Sequence, residues 1–354
     1  MYRVHLDFPN ENYLNDVQNI PREFSPYLEI DQNSPNYLGW NFCYKDGIFD
    51  INIFSDIFGN YENSFNVSDE NEQNYKRYTK HFVKNCLYDF LSEKLDIILP
   101  YGSLTGVRPT KLYYEIRNKG YNPENYLKEE FRVTNSRIKL IADCVENQKG
   151  VINTDPKSIA LFLNIPFCPT RCNYCSFIST ELFRVQKELP SYIDNVIAEI
   201  ETFKEFLSKT DYKLTSIYVG GGTPSCIGEK MLEKLLSPIS KFGVEFTVEA
   251  GRPDTINEEM LDMLKSNNVT RVSINPQSFN QKTLEKIGRK HTIDEVYKCY
   301  NLAKQKGFII NMDLISMLQD ETYEDFCNSV DKTIELNPHN ITIHTLSLKR
   351  GSKL

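Results

Sequence analysis

The chain has 354 residues, 40% of them hydrophobic and 25% charged, with a formal net charge of −7. This is ordinary globular composition, which excludes wholesale disorder, and at roughly 100–200 residues per domain the length allows about two domains. The longest clean apolar run, Ile159–Leu163, is far short of the roughly 20 residues that a bilayer span needs. No basic block stands out, so no nucleic-acid partner is expected, although a local patch can hide in the average.

In chain order, Tyr2, Val4 and Leu6 alternate with Arg3, His5 and Asp7, the period of a half-buried strand. Leu38–Tyr44 and Ile48–Phe54 flank Lys45-Asp46-Gly47, a hairpin signal with Asp-Gly in the turn. A long helix is expected from about Glu72 to Leu95, with Tyr78, Phe82, Cys86 and Phe90 on one face. After YGSLTGVRPTKL, two or three helical patterns lead to Gln148. The polar stretch Asn147–Lys157, with Gly and Pro, marks a boundary between an α+β domain over 1–150 and a second domain over 151–354.

The second domain changes rhythm. β-type runs appear at Ser158–Ile165, Leu214–Val219, Val244–Ala250, Arg271–Ile274, Phe308–Ile315 and Ile341–Leu346, with helical patterns between them. The clearest helix spans Pro190–Leu207, where Ile193, Val196, Ile197, Ile200 and Phe203 share a face and Ser191 is placed to cap. Other helices start near Lys230, Glu258, Ile293 and Tyr323. Strand–helix alternation predicts parallel strands in either an open doubly wound sheet or a partial barrel, with chemistry at the C-terminal strand ends. The chain stops right after the sixth strand, which leaves little to cover the open side of a barrel; a truncated chain is expected.

Of nine cysteines, three are crowded just after the first of these strands, in FLNIPFCPTRCNYCSF. A chain without a signal-peptide pattern keeps its thiols reduced, so the crowding reads as a metal or redox site before it reads as disulfides. Cys168, Cys172 and Cys175 have the spacing Cys-x3-Cys-x2-Cys on one tight loop. Three thiolates there can meet three corners of an iron–sulfur cubane, and a missing fourth ligand leaves one iron open for a substrate or cofactor. The competing reading is a structural zinc, with His291, His339 or His344 as fourth ligand.

The chain resembles the radical S-adenosylmethionine (SAM) superfamily, whose hallmark is this cysteine spacing on a partial (β/α)6 barrel. IPFCPTRCNYCSF, YVGGGTPS, RVSINPQSFN, IGRKH, NMDLI and ITIHTLSLKR together resemble the oxygen-independent coproporphyrinogen III oxidase group, and GVRPTK and KRGSKL are most similar to its HemZ branch. The resemblance implies an α/β fold, a partial (β/α)6 barrel preceded by a smaller α+β domain. It implies a 4Fe–4S cluster on Cys168, Cys172 and Cys175, with SAM chelating the open iron. In the family one electron then splits SAM to a 5′-deoxyadenosyl radical, which abstracts a substrate hydrogen. No protein residue is singled out for catalysis; the radical chemistry belongs to the cofactor.

By motif, Gly221, Gly222 and Thr223 match positions that contact SAM, where glycine lets backbone approach a ligand that a Cβ would block. Glu249, Gln277, Arg289 and Asp313, each at or after the end of a strand, match further SAM contacts. Tyr174 matches an aromatic position whose backbone meets the adenine, and packing against the cluster is the competing reading for it. The implied activity is the oxidative decarboxylation of two propionates of coproporphyrinogen III to vinyl groups, giving protoporphyrinogen IX, in the cytoplasm. The implied partners are a tetrapyrrole substrate or haem and an electron donor such as flavodoxin or ferredoxin. Three departures stand out. Phe162-Leu163-Asn164 replaces the usual Tyr-x-His, and Phe177 stands where the oxidase branch has a fourth cysteine. Met317-Leu318-Gln319-Asp320 replaces the usual glycine and proline. Phe177 is shared with the HemW branch, which makes a haem-binding chaperone the alternative; another radical SAM enzyme acting on a tetrapyrrole is a further one. Arg108 and Lys111 beside Pro109, and less strongly Lys349 and Arg350, are candidates to hold a propionate, against the plain reading of solvated charges.

Overall fold

A computed structural model describes residues 1–8, 17–25, 27–66, 72–105, 108–153, 155–347 and 351–353. Two compact units divide the chain, Met1–Ile152 and Asn153–Leu354.

In the first unit β1 (Tyr2–Asp7) is followed by α1 (Asn19–Glu23), β2 (Leu28–Ile30), β3 (Tyr37–Lys45), β4 (Ile48–Ser55) and β5 (Gly59–Asn66). The sheet order is β2-β1-β3-β4-β5; β1 pairs in parallel with β2 and β3, while β3, β4 and β5 form an antiparallel meander. Lys45 pairs with Ile48 across Asp46 (φ 51°) and Gly47 (φ 81°), the two left-handed residues that match the twist of a two-residue hairpin. The long helix α2 (Glu72–Leu95) lays Val83, Cys86, Leu87, Phe90 and Leu91 against Trp40, Phe49, Ile51 and Ile53 of the sheet. Tyr78, expected on that buried face, is 43% exposed and meets the ring of Phe65, on the edge strand β5. Three helices, α3 (Pro109–Asn118), α4 (Pro123–Phe131) and α5 (Asn135–Asn147), pack around Ile116, Leu127, Ile138, Ile141 and Val145. Pro109 does open α3, but Gly106, Val107, Lys349 and Arg350 lie outside the described residues, and Lys111 is occupied 3.6 Å from Glu115.

The second unit runs β6 (Ser158–Ile165), β7 (Phe167–Cys168), β8 (Thr180–Glu181), α6 (Leu189–Lys209), β9 (Lys213–Gly221), α7 (Glu229–Leu236), β10 (Glu245–Gly251), α8 (Glu258–Ser266), β11 (Arg271–Gln277), α9 (Gln281–Lys286), α10 (Ile293–Gln305), β12 (Ile309–Ser316), α11 (Tyr323–Leu336) and β13 (Asn340–Thr345). Six parallel strands stand in the order β6-β9-β10-β11-β12-β13. Sequence order and sheet order coincide, with no reversal of the kind a doubly wound sheet has at its switch point. Every right-handed crossover therefore puts its helix on the same face, and the sheet curls into a partial barrel.

The helix-facing side chains form one core, in which Leu163, Ile165, Val219, Val248, Val272, Ile274, Ile310 and Met312 meet Ile193, Leu232, Leu235, Leu261, Leu264 and Val296. At about 1.5–3 kcal/mol per buried large aliphatic side chain, this layer holds the barrel wall in place. The alternate residues of the same strands face inward. On β6 these are Phe162 and Asn164, exposed between the less exposed Leu161, Leu163 and Ile165. The α6 helix starts at Leu189, earlier than expected, so Ser191 lies inside its first turn and caps nothing; Leu189 N–H and Tyr192 N–H bond back to Val185 and Glu188 across the start.

Candidate functional site

The loop after β6 is tied down from several directions before any ligand is considered. Gly222 N–H donates to the Ile165 carbonyl (2.8 Å) and Thr223 N–H to the Phe167 carbonyl (2.7 Å), strapping the glycine turn to the cysteine loop. Thr223 Oγ1 donates to Cys168 Sγ at 3.7 Å. Asn173 bonds α9 twice, through its amide N–H to Ile287 and its side chain to Lys286. Arg252, 2% exposed, is held by both oxygens of Asp254 and donates to Thr170 Oγ1 at 2.7 Å, inside the cysteine loop.

Cys168, Cys172 and Cys175 line one cavity of about 300 Å³ at the C-terminal strand ends. Burial holds the Cys175 thiol above its ordinary range, opposed by a hydrogen bond from the Phe177 backbone and reinforced more weakly by the thiols of Cys172 and Cys168. The same cavity is lined by Tyr174, Gly221, Gly222, Thr223, Glu249, Gln277, Arg289 and Asp313, so the candidate residues reach one place from the cysteine loop, the ends of β9 to β12 and the turn before α10. Two glycines there have no room for a side chain. A Cβ on Gly222 would stand 2.9 Å from Cys168 Sγ and closer still to the Phe167 carbonyl oxygen. One on Gly221, which has φ +112°, would strike Asn164 Oδ1.

Gln277 ends β11 at φ 69°, where the ladder with β12 shifts register; the irregularity turns its amide into the cavity. Its Oε1, together with Asn275 Oδ1 and Arg289 Nε, is buried on the cavity wall with no hydrogen-bond partner among the described residues. An unsatisfied buried polar atom costs about 1–3 kcal/mol, so three of them on one wall suit a polar ligand. Glu249 accepts from the Tyr218 hydroxyl, and burial raises its carboxyl pKa, partly offset by that bond. Asp313 accepts from Asn311 (2.6 Å) and lies 3.9 Å from His344 Nε2. Tyr174 packs beside Ile287, Ile315 and Leu318, and burial raises its phenol pKa, with the Arg289 charge opposing.

Sequence reading does not single out Arg252, Asn275 or Tyr218 as site residues, and it names His344 only as a possible fourth zinc ligand. Asn275 immediately precedes the Pro276-Gln277 pair, which was the one local hint. Of the histidines weighed as zinc ligands, His291 is fully buried behind Arg289 and His339 accepts from Ile310 N–H at the opposite end of β12; His344 alone lines the cavity. Among the described residues no three His, Cys, Asp or Glu side chains are arranged to hold a single metal ion. Thiolates on one zinc, at about 2.3 Å each, would have to crowd to a point. A cubane takes each thiolate on a different iron, which suits sulfurs spread along a cavity wall.

Residues 165–333 match the profile of the Radical SAM superfamily. This stretch is a radical SAM domain. The cofactors of that family are a 4Fe–4S cluster and SAM. The chain is 35% identical over 299 residues to the oxygen-independent coproporphyrinogen-III oxidase-like protein HemZ of Bacillus subtilis, covering 81% of this chain and 60% of that protein. It is 35% identical over 199 residues to the haem chaperone HemW of Lactococcus lactis, covering 54% of this chain and 50% of that protein. Among solved structures, the radical SAM coproporphyrinogen III oxidase HemN of Escherichia coli aligns at 25% identity with a TM-score of 0.49, over 53% of this chain and 44% of its own. The chain thus spans about half to three fifths of the length of these curated relatives. No helix among the described residues is long and apolar enough to cross a membrane.

Proposed function

We propose that this chain is a cytosolic radical SAM enzyme of tetrapyrrole metabolism that oxidatively decarboxylates two propionates of coproporphyrinogen III. Cys168, Cys172 and Cys175 hold the cluster. Gly221, Gly222 and Thr223 admit the methionine end of SAM, whose ammonium finds the Glu249 carboxylate and whose remaining polar groups find Gln277, Arg289 and Asp313. Tyr174 closes the wall between cluster and core. When bound, the cluster and SAM supply a hydrogen-abstracting radical after one-electron reduction by a donor of the flavodoxin or ferredoxin kind. The protein's own work is to orient, to supply polar partners and to keep water out.

The observation that supports a tetrapyrrole over another substrate is an aromatic shelf continuous with the cavity. Phe162 (57% exposed) and Tyr218 are paired across β6 and β9 with rings 5.9 Å apart at 28°, and Phe177 and Ile178 stand exposed beside them. The shelf shares Gly221 and Glu249 with the cavity. Large apolar side chains left together in water mark a binding face, here one broad enough for a macrocycle next to the reacting centre. The test is anaerobic incubation of reconstituted protein with SAM, dithionite and coproporphyrinogen III. Protoporphyrinogen IX with 5′-deoxyadenosine is the expected result; neither product overturns the oxidase reading.

A second reading rests on Phe177, which removes a fourth thiol from the loop. It is a haem chaperone that keeps cluster and SAM. A stable Soret band on haem titration, with no turnover of coproporphyrinogen, favours it. Linear or alkylated tetrapyrrole products on mass spectrometry point instead to a different radical SAM modification.

A further inference from the structure

We propose that Arg252 is a positioning residue for the iron–sulfur cluster: it fixes the midpoint of the chain between Cys168 and Cys172, and so the spacing of two of the three thiolates. The inference rests on the reading that Cys168, Cys172 and Cys175 hold the cluster, and it is indifferent to the substrate. Thr170 is the central residue of the three between those two cysteines. One Arg252 nitrogen, Nη1, donates to both polar atoms that Thr170 offers, the hydroxyl at 2.7 Å and the carbonyl at 3.2 Å. The other edge of the guanidinium, Nε and Nη2, meets the two Asp254 carboxylate oxygens side-on at 2.9 and 2.8 Å. A planar fork serves both partners at once; a lysine ammonium has no second edge.

The local sequence builds this clamp. Arg252 is extended, at φ −110° and ψ 123°, as a following proline favours, and the single 3-10 turn Pro253–Thr255 brings Asp254 back onto it. Its backbone is anchored too. Arg252 N–H donates to the Ala250 carbonyl at 2.7 Å, and the Arg252 carbonyl accepts from Thr255 Oγ1 at 2.8 Å. The Ala250 carbonyl also accepts from the buried Ser225 hydroxyl at 2.6 Å. Ser225 follows the glycine turn whose Thr223 hydroxyl reaches Cys168 Sγ. The stretch from Cys168 to Thr170 is therefore pinned at both ends, from the segments that follow β9 and β10. Stability alone does not account for the arrangement. Arg252 is 2% exposed, and the cost of desolvating a guanidinium offsets much of what an ion pair gains, so apolar side chains of similar size commonly hold a fold as well. What the pair supplies is fixed geometry, in a residue that lines the same cavity as the three thiols.

Partners that hold a metal ligand from behind are worth about 10- to 100-fold in metal affinity. The full chain is reconstituted anaerobically, and the rate at which EDTA strips its iron is measured beside the EPR spectrum of the dithionite-reduced cluster. Thr170→Val keeps the shape and loses the hydroxyl; Arg252→Lys keeps the charge and loses the fork. Each is expected to lose iron at least about tenfold faster than the wild type and to shift the EPR signal. Thr170→Ser restores the hydroxyl and is expected to match the wild type in both. The double variant is expected to lose iron no faster than the worse single one, because both act through one contact. Tyr300→Phe is the control for stability. It removes the bond to the Leu336 carbonyl, at the end of α11, and should melt lower with iron release and EPR signal unchanged. Should Arg252→Lys misfold, Thr170→Val and its serine rescue carry the test. The inference is overturned if Thr170→Val keeps wild-type iron release and EPR signal, if Thr170→Ser fails to restore them, if the two losses multiply, or if Tyr300→Phe loses iron as fast. A wild-type chain that takes up no iron and sulfide overturns the cluster reading and this inference with it; a loaded wild type with indifferent variants overturns the inference alone.

Discussion

Gly222→Ala isolates the coupling between the glycine turn and the cysteine loop. Gly222 does not occupy the left-handed region, so alanine brings no backbone strain; its whole effect is collision. The new methyl would lie 2.9 Å from Cys168 Sγ, where ordinary contact begins at about 3.4 Å, so the sulfur must yield by about 0.5 Å. The Phe167 carbonyl oxygen, closer still and already accepting Thr223 N–H at 2.7 Å, must yield more. Overpacking of this kind costs about 1–3 kcal/mol in stability, which a core of this size tolerates. Function is more sensitive, because a misplacement of about 1 Å at a reacting centre can cost on the order of 100-fold. The expected variant is folded, binds less iron and sulfide after anaerobic reconstitution, and cleaves SAM about 100-fold more slowly. Gly228→Ala is the matched control. Gly228 sits at φ 82°, ψ 160°, with nothing within 4 Å of an added Cβ, so alanine there costs about 1–3 kcal/mol of backbone strain and touches no ligand. It should melt lower and keep its iron. A Gly222→Ala protein with wild-type iron and wild-type SAM cleavage would refute the reasoning, as would equal iron loss in both variants.

Glu249→Gln removes the carboxylate that faces the proposed ammonium and is expected to weaken SAM binding by roughly 10- to 100-fold, the worth of a charge-assisted bond, measured by equilibrium binding. Tyr218→Phe removes a donor that favours ionised Glu249, so the carboxyl pKa rises further and the acid limb of SAM binding moves to higher pH. A pH profile unchanged in Tyr218→Phe contradicts that assignment. His291 is fully buried and its pKa is pushed down to about 3, by burial first and the Arg289 charge second. Its contribution to stability is therefore complete above the unfolded value near 6.5. It is lost as the pH falls toward 3, by roughly 2 kcal/mol at pH 5, because the unfolded chain takes up a proton that the folded chain refuses. Thermal melts of His291→Leu should fall less steeply between pH 7 and pH 5 than those of the wild type. Met317 holds a left-handed conformation at φ 66° with its side chain 72% exposed, so Met317→Gly should raise stability by about 0.5–1 kcal/mol, read as a higher denaturant midpoint.

What was legible in the residues follows the range of the forces involved. Tyr2–Asp7, the Asp46-Gly47 turn, the span of α2 and the six barrel strands all carry a local signature, a period of 2 or 3.6 or a turn residue, and each appears within a residue or three of where it was read. The cysteine spacing is likewise local, since one loop carries all three thiols. By contrast β5, Gly59–Asn66, is a polar run without apolar alternation, and it is a strand because β4 offers it a complete hydrogen-bonding edge. Ser191 resembled a cap, but the chain before it already supplied the carbonyls that start the helix.

By itself the sequence determined the motif words, the strand–helix alternation and the identities of the residues at the strand ends, because these depend on neighbours a few positions apart. Only the tertiary structure decided that the strands stand in sequential order and so curl, that Arg252 reaches Thr170 across 82 residues, and that Phe162 and Tyr218 make a shelf. Those facts are contacts between distant segments, set by packing and sheet registry, and they leave no period in the chain to read.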